Sequence, residues 1–527
     1  MRKFHSYGPI DTRFHFGVAR SELVEQCVEQ LVGVPGDAGH YFTMWGPRQS
    51  GKTWIMRQAM AEIRARYGDR FTVGTFSMGS TALTDDEPVD AFLGRVPHLL
   101  ERAFGREGPA PTTWQDWMDT FRAGAGLFDR PVILLIDEFD DLPRGVIDRL
   151  VRLFREIYLD RGVFLLHGLA LVGVRAVLGI DSDRGAPFNV QRSLHVPNLT
   201  RDEVVEMFGQ YQAESGQAVL PEVVEAVHAA TRGQPGLVGW FGELLTEKYN
   251  EDRSAPITWE RWDEVFMLAC RVEPNNTILN LIKKAKGPYR RHVMGLFGRA
   301  DVPFSFDQDW CSYLYTHGII DFERTTTPTG ERTSVCRFSS PFVQRRLHAA
   351  FTDDLFPRLQ ILALDPLDTL SDVFTARGID AAALCQRYRA YLGRLRAAGH
   401  DPFVDEERRS DLGLREAVGH FHLYAWLREA VGSTCSVSPE FPTGNGKVDL
   451  LLRTREHRAV IEVKSFRSAA DLLVARRQTA RYARGESLAS AVLAVFVPVS
   501  DERVLEALSG DEEIDGVRVI TVAIGWA

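Results

Sequence analysis

Eight consecutive residues, Gly46-Pro47-Arg48-Gln49-Ser50-Gly51-Lys52-Thr53, fit the pattern GxxxxGK[ST] and constrain this chain more than any other feature. The apolar run YFTMW precedes them, and the helical TWIMRQAMAEIRARY follows. A glycine loop between a strand and a helix lets backbone N–H groups curl around a phosphate. The helix behind it points its positive end at the same anion. In such a P-loop, Lys52 supplies a point charge to the β- and γ-phosphates, and Thr53 offers a hydroxyl to Mg²⁺.

A second apolar run, VILLID, ends in Asp137-Glu138. A buried strand that delivers two acids at its C-terminal end is the Walker B arrangement. Asp137 is expected to hold Mg²⁺, usually through water, and Glu138 to orient or deprotonate the attacking water. Phe139, Asp140 and Asp141 belong to the following turn. FTVGTFS, FLLHGLALVGV and the weaker RSLHVPNL read as further strands with helices between them. That alternation predicts a parallel sheet covered on both faces.

The P-loop, the Asp-Glu pair and the helical segment TRGQPGLV together resemble the AAA-like ATPases of the STAND group, over roughly residues 5–350. The entry YGPIDTRFHFGVARSELVEQ resembles the segment that precedes the P-loop in those proteins. The resemblance implies ATP rather than GTP, and no NKxD-type guanine motif is present. It also implies a nucleotide that works as a conformational switch, with Gly233-Gln234-Pro235 near it. Arg175 and Arg192 compete for the place of a nucleotide sensor.

The predicted fold class is α/β multidomain. A parallel-sheet P-loop NTPase (1–199) is followed by a helical subdomain (200–284), a winged helix (285–352), a helix-rich linker (353–404) and a restriction-endonuclease-like α/β domain (405–527). The winged helix is read from a helix near RRHVMGLFG, extended HGIIDFER, a turn at TPTGE, the strand SVCRFS and a helix from SPFVQRRLHAAF.

In the last segment Asp449 lies in KVDLLL, and Glu462 and Lys464 lie in AVIEVKSF. Residues two apart on a strand share a face, and the short turn TREH can return Asp449 to that pair. An acid and a lysine inside an otherwise apolar strand are costly without a task. Two carboxylates and a lysine on one face suit metal-assisted phosphodiester hydrolysis, with Mg²⁺ on the acids, Mn²⁺ as a second candidate, and water positioned by the lysine. A partly buried ion pair at a sheet edge is the competing reading. The arrangement resembles the PD-(D/E)xK nucleases over roughly residues 405–510, although Val448 replaces the proline before the aspartate. By that resemblance Glu416 would add a metal ligand and Gln478 a catalytic side chain.

The net charge of −9 gives no global attraction to nucleic acid, so a DNA site requires a local basic patch. Residues 451–490 hold nine Lys/Arg against four Asp/Glu, and 281–300 hold six with no acid. Six scattered cysteines without a CxxC pair argue against disulfides or zinc and for a reducing compartment. No export signal or membrane span is read, so the expected place is the cytoplasm. His420 and His422, two apart on a helix, do not face one another. The leading expectation is an ATP-controlled nuclease acting on DNA, with RNA left open, a homo-oligomer conceivable, and defence against foreign DNA suggested by resemblance alone. The alternative is an ATP-switched binding module with an inactive nuclease fold. A translocating motor ranks last, because no helicase motifs beyond Walker A and B are found.

Overall fold

The computed structural model describes residues 1–33, 39–47, 49–108, 110–173, 192–299, 301–326, 330–400, 403, 412–432, 434–440 and 449–525, with backbone alone at Arg192, 412–416, Glu440 and Asp449. They divide into two compact units, Met1–Ala269 and Cys270–Ala527.

In the first unit the chain runs α1 (Ser21–Val32), β1 (Tyr41–Trp45), α2 (Lys52–Tyr67), β2 (Thr72–Ser77), α3 (Val96–Phe104), α4 (Trp114–Asp119), β3 (Val132–Asp137), α5 (Arg144–Leu159), β4 (Leu166–Gly173) and β5 (Arg192–His195). All five strands pair in parallel, in the order β2-β3-β4-β1-β5. β3 is apolar along its length because both its faces are covered. Leu134 and Ile136 pack with Phe92, Trp117 and Phe154 on one side. Ile133 and Leu135 pack with Leu31, Ile55 and Ile63 on the other. This is a parallel-sheet P-loop NTPase-like fold. From β1 the chain crosses past β4 and β3 to reach β2, and such a reversal of strand order leaves a crevice beyond the carboxyl ends of the strands. The P-loop and Asp137 both end there.

Helices α6 (Arg201–Ser215), α7 (Pro221–Thr231), α8 (Pro235–Glu243) and α9 (Trp259–Arg271) follow. Thr200 starts α6 with a capping box shared with Glu203, which satisfies two of the N–H groups that a helix start leaves without partners.

The second unit opens with α10 (Asn276–Ala285), α11 (Arg290–Gly298) and α12 (Asp309–Thr316). The antiparallel hairpin β6 (Ile320–Thr326) and β7 (Arg332–Phe338) comes next, then α13 (Pro341–Leu355), capped by the Ser340 side chain. α11, β6, β7 and α13 fall on the segments RRHVMGLFG, HGIIDFER, SVCRFS and SPFVQRRLHAAF, while most of the TPTGE turn lies outside the described residues, and a bridge between Pro303 and Val335 adds to the hairpin. Residues 353–400 are less helical than expected. They hold a two-residue hairpin, β8 (Phe374–Thr375) and β9 (Gly378–Ile379), and a single long helix, α14 (Ala381–Ala397). Pro357 and Pro366 cannot continue a helix, and both precede it.

Helix α15 (Leu412–Val431) leads into β10 (Ser436–Glu440), β11 (Asp449–Arg453), β12 (Arg458–Ser465), α16 (Ala469–Gly485), β13 (Ser490–Val497), α17 (Glu502–Leu508), β14 (Gly510–Ile514) and β15 (Val517–Gly525). The six strands form one sheet in the order β10-β11-β12-β13-β15-β14. β12, β13 and β15 are parallel, and the remaining pairs are antiparallel. Leu472, Ala475 and Ala480 of α16 pack on Leu493, Val495 and Val519. Helix α15 comes close to Phe496, so that a Cβ on Gly419 would stand 3.0 Å from that ring.

Helices α13, α14 and α15 enclose three buried histidines. His348 Nε2 and His420 Nδ1 are 2.9 Å apart, and Tyr388 Oη lies 2.6 Å from His422 Nδ1. Burial pulls the pKa of His422 down to about 3. His348 is also held well below the usual range, by burial and then by His420 and Arg428.

Candidate functional site

Gly51 sits at φ +94° as the residue before α2, and Gln49 also takes the left-handed region at φ +59°. The loop therefore folds tightly over the start of the helix. Gly46 has no room for a side chain, since an added Cβ would lie 2.8 Å from the Val196 carbonyl oxygen. The Lys52 ammonium donates to the carbonyls of Gly46 (2.8 Å) and Pro47 (2.7 Å). Ser50 is fully buried, and its hydroxyl has no hydrogen-bond partner among the described residues. An orphaned buried hydroxyl in a ring of backbone amides fits a polar anionic group. Arg48 lies outside the described residues.

β3, separated from β1 by β4 alone, brings the acids to this loop. Thr53 donates through Oγ1 to Asp137 Oδ2 at 2.8 Å, and Asp137 Oδ1 accepts the Glu138 N–H at 3.0 Å. Burial raises the Asp137 pKa above its usual value, opposed by the Thr53 and Glu138 hydrogen bonds. Glu138 adopts φ +57°, a conformation that costs a non-glycine residue on the order of 1–3 kcal/mol and persists where surroundings enforce it. Its Oε2 accepts from Ser77 Oγ at 3.0 Å and from the Gly79 N–H at 3.2 Å. Phe139–Asp141 form the expected turn.

A cleft of about 540 Å³ joins these groups. Lys52, Thr53, Asp137 and Glu138 line it, as do Gly8-Pro9-Ile10 and Pro235-Gly236. Pro235 begins α8 behind the capping residue Gln234, and the Gly236 N–H donates to the Gln49 carbonyl at 3.3 Å. An added Cβ on Gly236 would meet Gln49 Oε1 at 2.1 Å and Gln49 Cβ at 2.8 Å. The helical segment thus docks directly on the phosphate loop. Arg57 and Arg102, which sequence reasoning passed over, also line the cleft. Arg175 lies outside the described residues, and Arg192 is placed through its backbone as the first residue of β5.

In the second unit β11 and β12 pair so that Asp449 stands opposite Glu462. Glu462 is 4% exposed. Its Oε1 meets the Lys464 ammonium at 2.8 Å, and its Oε2 accepts from Thr479 on α16 at 3.0 Å. Lys464 and Gln478 line one cleft of about 320 Å³. Glu416 falls within α15, and its side chain, like that of Asp449, lies outside the described residues. Among the described residues no three His, Cys, Asp or Glu side chains converge as a metal site. Thr479 escaped the sequence reading because a threonine in a basic helix gives no sign of reaching a strand partner.

No family model and no curated protein matches the chain. Similar solved structures include the Walker-type ATPase of Pyrococcus abyssi, at 16% identity, covering 65% of this chain and 99% of that one, with a TM-score of 0.43. The Thermotoga maritima RuvB Holliday junction branch migration motor is 14% identical, covering 63% and 95%, with a TM-score of 0.33. The Aeropyrum pernix Orc1 protein, solved in complex with DNA, is 14% identical, covering 67% and 95%, with a TM-score of 0.30. Among the described residues no helix is long and apolar enough to cross a membrane.

Proposed function

We propose that the first unit binds Mg²⁺-ATP and hydrolyses it. The observation that carries this is the Thr53–Asp137 hydrogen bond beside Lys52. It joins the two motifs into one polar cluster at the mouth of a glycine loop. Thr53 and Asp137 would hold the divalent ion, which when bound neutralises charge on the transferring phosphoryl group. Lys52 and the loop amides would hold the phosphates. Glu138 would accept a proton from the attacking water at its carboxylate, after leaving Ser77 and Gly79. Lys52→Ala should abolish binding of a fluorescent ATP analogue. Glu138→Gln should keep binding and lose turnover. Turnover retained by Glu138→Gln would remove the hydrolytic assignment.

We infer further that the second unit cuts DNA with a divalent metal, under control of the nucleotide state. Support comes from a buried Glu462–Lys464 pair in the register that sets Asp449 opposite Glu462. Asp449 and Glu462 would hold Mg²⁺ or Mn²⁺, which supplies Lewis acidity at the scissile phosphate. Lys464 would orient the water, and Gln478 would support it from α16. Lys464→Ala should abolish Mg²⁺-dependent cleavage while leaving nucleotide binding intact, and cleavage by that variant would remove the assignment. The second reading is a binding module that holds nucleic acid or a partner without cleavage, since the Glu462–Lys464 contact also fits a purely structural ion pair. Cleavage assays on DNA and RNA with either metal separate the two readings. The setting that sequence resemblance suggests is defence against foreign DNA.

A further inference from the structure

The basic run at 281–300 and the Glu-x-Lys strand are more than 160 residues apart in sequence, yet both reach one cleft. Arg299, just past the end of α11, lines it together with Lys464, Arg467 and Gln478. Ring packing of Phe297 on Phe421, with centroids 5.3 Å apart, holds the end of α11 against α15. The six cations of that run are not equivalent. Lys286 and Arg290 pair with Asp354 of α13 at 3.2 and 2.8 Å, and of the six Arg299 is the one that lines this cleft. Arg467, between β12 and α16, also lines the cleft and is exposed. Two acids share the lining, Asp301 and Asp471. Asp471 belongs to the start of α16, where it accepts from Ser468 Oγ at 2.7 Å. Phe466 and Val474 add apolar surface, and Val474 is 53% exposed.

Resting on the nuclease reading, we infer that Arg299 and Arg467, which line the cleft of Lys464, together clamp the phosphodiester backbone of the strand presented to that lysine. Guanidinium groups suit this role because their fork of donors matches phosphate oxygens. The apolar surface of Phe466 and Val474 in the same cleft gives a nucleobase a face to lie on. The 281–300 segment then acts in substrate positioning, through Arg299 rather than through all six of its cations.

The test measures binding, so it does not depend on cutting. Fluorescein-labelled DNA and RNA oligomers of one sequence are titrated with the full chain in EDTA, from about 50 to about 200 mM salt, and affinity is read by anisotropy. Each arginine that touches a phosphate adds about 0.7 (single strand) to about 0.9 (duplex) to the slope of log affinity against log salt. Arg299→Ala and Arg467→Ala should each lower the slope by about that much, and the double variant by about twice as much. Arg299→Lys should keep the slope and bind more weakly, since a point charge replaces the fork. The polymer bound more tightly by the wild type identifies the substrate. An unchanged slope in the double variant, or no binding of either polymer by the wild type, overturns the clamp. The nuclease reading is judged separately, by cleavage with Lys464→Ala in Mg²⁺: loss of the slope without any wild-type cleavage keeps the clamp and removes the nuclease.

Discussion

Acid should loosen the second unit through His422, by an amount the structure sets. The imidazole is enclosed by α14 and α15 with its Nδ1 on the Tyr388 hydroxyl, and its pKa falls from an ordinary 6.5 to about 3. The unfolded chain keeps the ordinary value, so below pH 6.5 it binds a proton that the folded chain refuses. Stability is therefore fully present above about pH 6.5 and drains away as pH falls toward about 3, with a limit of about 5 kcal/mol. At pH 5 the unfolded imidazole is almost wholly charged and the folded one almost wholly neutral, which amounts to about 2 kcal/mol. His422→Asn keeps an acceptor for Tyr388 but cannot titrate. Urea unfolding of both proteins at pH 7.5 and pH 5 reads the effect. The variant starts weaker because it is smaller, yet the gap between the two proteins should shrink by about 2 kcal/mol at pH 5. His348, also depressed, contributes equally to both and cancels. A gap that stays constant across this range would refute the reasoning, for it would mean that His422 is charged or solvated in the folded state.

Three further outcomes are expected. Lys464→Ala strands the buried Glu462 carboxylate, whose remaining partner among the described residues is Thr479, and should cost roughly 3–5 kcal/mol in denaturant unfolding. The double change Glu462→Gln with Lys464→Met should recover most of that stability and none of the DNA cleavage proposed for this site. Gly236→Ala favours helix locally, but its methyl group would press on Gln49. ATP affinity measured by titration calorimetry should fall by roughly tenfold or more (about 1.4 kcal/mol) without loss of helix content by circular dichroism.

What the sequence disclosed was local. The P-loop is contiguous, and Asp137-Glu138 close a run whose apolar character requires a parallel, covered strand. Glu462 and Lys464 were legible because a period of two puts them on one face, and the short turn TREH fixed Asp449 opposite Glu462. Contacts formed by distant elements were not legible. The His348–His420 pair depends on α13 meeting α15, 72 residues apart. Spacing along one helix spoke against His420 and His422 facing each other, and it was silent about partners on other helices. Arg299 reaches the Lys464 cleft through the docking of α11, which no pattern of charge along the chain encodes. Residues 353–400 misled through composition: their leucines and alanines suggest helix, while Pro357 and Pro366 forbid it until α14 begins.

The order of the six-stranded sheet leaves β10 and β14 at its two borders, where strands in general can pair with a foreign strand through a row of backbone groups; on β10 the Val437 carbonyl already accepts from Arg271 at 3.4 Å. Pro439 interrupts the row on β10, since it has no N–H to offer. On β14, Asp511, Glu512 and Glu513 are exposed, with Asp511 paired to Arg518 and Glu512 to Arg476, so a second strand laid against that border would meet charged side chains rather than an apolar edge. Strand addition at either border would have to accommodate a proline or a row of charged side chains.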